Sequence, residues 1–180
     1  MIRPMNRAAV AAALAAVLAW GCSDDGEPAA DSGAADTMHH QGDGGHGGLD
    51  EGACEHLTKG PHKNVTAGAD AASAAEIKSD HHGYKVALTS GAAGFVKFAA
   101  DASGDHALFL DQDIAVEVQD DKGAALSIEE SLKSISACTE VKGKHTIELP
   151  AAGTYYFKLG PGAALTSVTL VIEEAGHSHP

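Results

Sequence analysis

The chain has 180 residues, with 25 acidic against 12 basic side chains and a formal net charge of −13. That balance argues against nucleic acid or an anionic membrane surface as a partner, because both need clustered Lys and Arg. Aromatic residues make up only 4% of the chain, so any core must be largely aliphatic, while eleven histidines beside four Phe form a skewed ratio.

Residues 1–21 read as a signal peptide of the lipoprotein type. Arg3 and Arg7 give a positive start, and Ala8 to Ala19 form an uncharged apolar run. The run is shorter than the roughly 20 residues that span a bilayer and fits an export signal. Ala19-Trp20-Gly21-Cys22 resembles a bacterial lipobox. The resemblance implies that Cys22 is the lipid anchor, that the membrane partner is reached through this N-terminal lipid, and that the protein resides in the cell envelope. Ser23 after Cys22 departs from the inner-membrane retention signal (Asp at that position), which points to the outer membrane or cell surface. An ordinary cleaved signal with an incidental cysteine is the alternative.

Residues 22–53 read as a disordered acidic linker rich in Gly, Ala and His. From Ser23 to Ala53 there is no Lys, Arg, Val, Ile or Phe. Such a segment buries too little apolar surface to offset the entropy of ordering it. A tether of this length and composition spans roughly 30 Å root-mean-square.

Residues 54–175 show period-two alternation. Tyr84, Val86 and Leu88 alternate with Lys85, Ala87 and Thr89. The same pattern recurs at Ile114 to Val118, His145 to Leu149, Tyr155 to Leu159 and Val168 to Ile172. His106 to Leu110 is a continuous apolar run. Gly-containing turns such as Ser90-Gly91, Asp121-Lys122-Gly123 and Gly160-Pro161-Gly162 separate these segments. Short strands so punctuated predict an all-β fold, an antiparallel, jelly-roll-like β-sandwich. Alternation predicts one wet face on each sheet. Ala67–Lys78 and Glu129–Ser136 read as loop or a short helical turn.

The stretches Tyr84-Lys85-Val86-Ala87-Leu88, Asp111 to Gly123 and Gly153-Thr154-Tyr155-Tyr156-Phe157-Lys158-Leu159-Gly160 resemble the strand pattern of bacterial pre-peptidase C-terminal domains. These are small secreted β-sandwiches appended to exported proteins. The resemblance spans about Asp80 to Glu173 and implies a binding or stabilising accessory module without catalytic residues.

With Cys22 lipidated, Cys54 and Cys138 remain. An even pair in an exported domain predicts a disulfide, worth about 4–5 kcal/mol in the chain-entropy picture. The competing reading is a metal thiolate site of Cys54 with His56, although no Cys-x-x-Cys pair supports it.

Histidines cluster with carboxylates, and neutral imidazole is the commonest transition-metal ligand. His39, His40 and His46 lie in the tether. Asp80, His81 and His82 precede a strand, and His177 and His179 form a tail at 176–180. These are the candidate metal ligands, for Zn, Cu or Ni. The competing reading is a solvated polar tract that binds nothing. His56 and His62 flank Leu57–Pro61, while His106 and His145 lie inside predicted strands. Asp111 and Asp113, two residues apart, read as solvated turn residues sooner than as a Ca²⁺ or glycosidase pair.

No nucleophile elbow, P-loop, dinucleotide fingerprint or zinc-protease helix is present, so no catalytic residue is expected. The expected function is a non-enzymatic exported lipoprotein that binds or buffers divalent transition metal. The alternative is a carbohydrate- or protein-binding accessory module, with Tyr84, Tyr155 and Tyr156 as its aromatic platform.

Overall fold

The computed structural model describes residues 48–162 and 164–175. Cys22, His39, His40, His46, His177 and His179 lie outside the described residues.

A helix, α1 (Leu49–Lys59), leads into β1 (His62–Thr66), a 3₁₀ turn at Ala71–Ser73 and β2 (Ala75–Ile77). Then come β3 (Gly83–Ala87), β4 (Gly94–Ala100), β5 (Gly104–Leu110) and β6 (Val116–Asp120). β7 (Ala125–Leu126), β8 (Glu130–Leu132), β9 (Gly143–Leu149), β10 (Gly153–Leu159) and β11 (Ser167–Glu174) complete the order. One sheet runs β1-β3-β11-β5-β9-β8 and the other β2-β4-β10-β6-β7. Within them, β3-β11-β5-β9 faces β4-β10-β6-β7, the strand order of a jelly roll.

The expected sandwich therefore forms, with one correction to its strand directions. β1 pairs with β3 in parallel, and β2 pairs with β4 in parallel. The cause is the connection. Between β1 and β3 the chain crosses to the other sheet to make β2, so it re-enters the first sheet running the same way. β3 is likewise the crossover between β2 and β4. The remaining pairs are antiparallel. Glu129–Ser136 contributes the short strand β8 instead of a helical turn.

Period-two alternation places the core between the sheets. In β4, Val96, Phe98 and Ala100 point inward, and in β10 Tyr155, Phe157 and Leu159 do so. Phe98 and Phe157 meet at 5.8 Å between ring centroids. Leu108, Leu110, Ile147, Leu149, Leu170 and Ile172 fill the opposite side.

A second core overturns two expectations. The linker was expected to run through Ala53, yet α1 starts at Leu49 and Ala53 is fully buried. The outer face of the six-stranded sheet was expected to be wet, yet α1 covers part of it. Ala53 and Leu57 of α1 pack with Ala107, Phe109 and Val171, together with Ile135, Cys138 and Val141. The spacing Leu49, Ala53, Leu57 is one helical face. Asp50 and Glu51 sit in the first turn, where the helix dipole favours anions, and the Glu51 carboxylate accepts the Gly48 N–H. Lys144 of β9 reaches Asp50 at 2.6 Å and stands over the Phe109 ring.

The disulfide expectation is met. Cys54 of α1 and Cys138 are bonded, with Cα atoms 5.7 Å apart across 84 residues of sequence. That bond excludes the thiolate site of Cys54 with His56 in this state.

Candidate metal centre

The C-terminal half of α1 lies over the end of β11, beside the loop that enters β3. Helical spacing puts His56 at this end, one turn after Ala53. β11 alternates, so Leu170 and Ile172 face the main core while Val171 and Glu173 face the helix. Glu173 is thereby carried under α1 and is only 4% exposed. The Asp80–His82 loop delivers the third group, His81, whose backbone is held at φ 56°. That left-handed conformation is uncommon outside glycine, although His adopts it more readily than most residues.

His56, His81 and Glu173 each offer one ligand atom, and these atoms all lie within 4.8 Å of one another. His81 Nδ1 stands 3.5 Å from Glu173 Oε2. This separation exceeds an ordinary N–H···O bond. Two donors bound at about 2.0–2.1 Å to one tetrahedral ion sit about 3.3–3.4 Å apart, much nearer the observed spacing. The His56 and His81 rings lie 5.5 Å apart between centroids. His56 Nδ1 is buried and has no hydrogen-bond partner. Burial and then the neighbouring His81 ring push the His56 imidazole below its ordinary pKa, more than Glu55 pulls it up. The neutral ring this favours is the metal-ligating form.

Gly83 makes the close approach possible. A Cβ there would come within 2.6 Å of the His56 carbonyl oxygen and of the His62 ring. His62 Nε2 donates to the Leu57 carbonyl at 3.0 Å, which ties β1 to the helix end.

Of the expected trio Asp80, His81 and His82, the structure brings only His81 into this group. Asp80 accepts from Lys63 at 2.5 Å and from the Tyr84 hydroxyl at 2.9 Å. Burial alone would raise the Asp80 carboxyl, but Lys63 and Tyr84 outweigh it and hold the pKa below the carboxylate range. The Tyr84 hydroxyl is pushed up to about 12 by burial and then by Asp80. His82 Nδ1 donates to the Asp80 carbonyl at 2.6 Å. His82 Nδ1 also lies 3.2 Å from Asp80 Oδ1, so its polar contacts are with Asp80 and it does not join the His56, His81 and Glu173 group.

Among the described residues, His106 and His145 make structural contacts. His106 is buried, donates from Nδ1 to the Gly104 carbonyl and packs edge-on against Phe98. His145 Nδ1 lies 2.9 Å from Ser131 Oγ. Asp111, Asp113 and Asp120 make structural contacts, of which only those of Asp120 close a local turn. Asp111 accepts the Thr169 N–H, Asp113 pairs with Lys133, and Asp120 accepts from Lys122 and Ala124. Tyr84 and Tyr155 are buried at 2% and 4% exposure, so the three tyrosines do not form a platform.

Sequence reasoning missed Glu173 and did not place His56 with His81. Glu173 carries no local signal, since it reads as the polar residue ending a strand. A usable signal did exist for the covered face. Ala107 to Leu110 and Leu170 to Ile172 are unbroken apolar stretches, the mark of strands buried on both sides.

No protein-family model matches the chain, and no curated protein matches it in sequence.

Proposed function

We propose that this is a non-enzymatic, exported, lipid-anchored protein that binds a divalent transition metal at His56, His81 and Glu173. The observation that carries the reading is the convergence of two imidazoles and a buried carboxylate, from three separate elements, at donor–donor spacing. Two nitrogens and one carboxylate suit Zn²⁺, Cu²⁺ or Ni²⁺ sooner than Ca²⁺ or Mg²⁺, which prefer all-oxygen shells. Three protein donors leave at least one position for water or an incoming ligand, as in open zinc sites. Such a site releases its ion more readily than a closed four-ligand one, which fits buffering or hand-over at the cell envelope. The signal-like segment ending at Cys22 supplies the address, and the acidic chain raises the local cation concentration.

Calorimetric titration of the protein with Zn²⁺ tests the reading. His81→Ala and Glu173→Gln should each weaken the tightest site at least about tenfold, on the scale seen for metal-site changes. Deleting residues 36–47 and 176–180 should leave that site in place. Equal Zn²⁺ affinity in the wild type and both variants overturns the assignment.

A further inference from the structure

A second group of ligating atoms lies elsewhere on the helix. The sulfurs of Cys54 and Cys138 and a carboxylate oxygen of Glu140 all lie within 4.8 Å of one another. The two sulfurs are bonded to each other in the structure, so here they offer no thiolate. We propose that reducing this cystine converts the group into a two-thiolate, one-carboxylate site for a divalent cation of the Zn²⁺ type, separate from the histidine centre and independent of it.

The carboxylate is already in position. Cys138 Sγ and Glu140 Oε2 are 3.5 Å apart. A tetrahedral zinc with bonds of about 2.3 Å to sulfur and about 2.0–2.2 Å to oxygen separates those donors by about 3.5 Å. Glu140 is held there, because the Thr139 hydroxyl donates to the same carboxylate oxygen at 3.1 Å. Lys142 Nζ in turn donates to the Thr139 carbonyl at 2.6 Å. The Cys138 N–H closes a turn onto the Ile135 carbonyl.

The two cysteines are anchored by contacts other than their own bond. Cys54 is fixed through Ala53 and Leu57 in the second core and through the Asp50–Lys144 pair. Ile135, Cys138 and Val141 belong to the same core. The sulfurs therefore stay neighbours once the bond opens, and need to separate only to the spacing of two ligands on one ion. Cys138 is buried and Cys54 half-buried, while Glu140 is exposed, so an ion has access from the carboxylate side.

An external dithiol supplies two electrons and two protons. The S–S bond breaks, two thiols form, and the reductant leaves as its cyclic disulfide. Binding of M²⁺ then displaces the two thiol protons to solvent. Exchange with an external disulfide reverses the first step: that disulfide takes the two electrons and leaves as two thiols, the Cys54–Cys138 bond re-forms, and the ion loses both sulfur ligands.

Co²⁺ is the probe, because thiolate ligation alone gives a sulfur-to-cobalt charge-transfer band in the near ultraviolet. Each arm uses the full chain with Cys22→Ser, desalted anaerobically after dithiothreitol treatment or left oxidised. The reduced protein should develop the band and the oxidised protein should not. Glu140→Gln should raise the half-saturating Co²⁺ at least about tenfold. The double variant His56→Ala/His81→Ala should keep the band. A reduced protein without the band overturns the proposal, as does loss of the band in the double variant. Equal half-saturation in Glu140→Gln does the same, and a chain that unfolds on reduction gives that result, since nothing then holds residue 140 beside the sulfurs.

Discussion

The imidazole rings of His56 and His81 meet at 5.5 Å between centroids, one carried by α1 and the other by the loop before β3. Without an ion, this packs two titratable rings beside a carboxylate that is nearly removed from solvent. Buried charge is costly unless it is paired. His81 already pairs with the Glu173 carboxylate at 3.5 Å, and a cation bound among the three groups would add to that pairing.

Metal should therefore stabilise the fold. Zn²⁺ at 100 times its dissociation constant should add about 2.7 kcal/mol, by linkage to a native-state site. Denaturant unfolding with and without Zn²⁺ measures the increment. At the same Zn²⁺ concentration His81→Ala should cut it to about 1.4 kcal/mol or less, the value for a site weakened at least about tenfold, and an undiminished increment in that variant would place the ion elsewhere.

Gly83→Ala should damage the centre without touching a ligand. The added methyl meets backbone at the His56 carbonyl, which cannot give way as a side-chain tip can. The helix end must lift, so Zn²⁺ affinity should fall together with stability. Stability should drop by about 1–3 kcal/mol, the usual scale for overpacking. Wild-type thermal stability and affinity in this variant would show that the helix does not approach β3 this closely.

Leu57→Ala should cost about 2–5 kcal/mol, the range for a buried Leu truncation. Leu57 is 5% exposed in the second core, whereas Leu132 on β8 is 38% exposed. Leu132→Ala should stay within about 0.5 kcal/mol of wild type. Urea midpoints for the pair decide whether α1 is packed or merely adjacent.

Cys138→Ser should destabilise by about 2–5 kcal/mol, the usual scale for removal of a native disulfide from a small domain. The bond closes a loop of 84 residues and ties α1 to the turn before β9. Ala53 and Leu57 should keep α1 docked in the folded state, so proteolysis within residues 48–60 should rise only as far as the lost stability explains. Cleavage there far faster than global unfolding would mean that the bond, and not packing, holds α1.

Among the described residues, the pH dependence near neutrality has two sources, His56, whose pKa is also lowered, and His145. Burial lowers the His145 pKa, more than the nearby Asp113 raises it. A histidine whose folded value is depressed binds fewer protons in the native state than in the unfolded one. Stability is thus full above the unfolded value near 6.5 and declines as pH falls below it. The depressed carboxylates Asp70 and Asp80 add their own loss only at lower pH, as protonation reaches their range. His145→Gln should flatten part of the decline between pH 7 and pH 5. A variant with the wild-type slope would exclude His145 as a source.

Much of the sandwich was legible because a strand's inward face repeats every second residue. Tyr155, Phe157 and Leu159 announce their orientation without any neighbour. The cystine was legible for a different reason, since the signal-like reading of residues 1–22 sets Cys22 apart and leaves Cys54 and Cys138 with one simple pairing. The parallel edges were not legible, because strand direction depends on which sheet the intervening chain visits. α1 was hidden by its composition. Its eleven residues include Gly52 and only two large aliphatics, Leu49 and Leu57, so local propensity is weak and the packing partner supplies the stability.

Sequence by itself determined the signal-like start, the acidic composition that follows it, the β alternation and the pair of sulfurs, all properties of neighbouring residues or of counting. Only tertiary structure decided that α1 lies on the six-stranded sheet, and with it that His56, His81 and Glu173 share one place. A metal centre is a coincidence of side chains in space. Its three donors come from a helix, a loop and a final strand, whose separations along the chain encode nothing about their distances once folded.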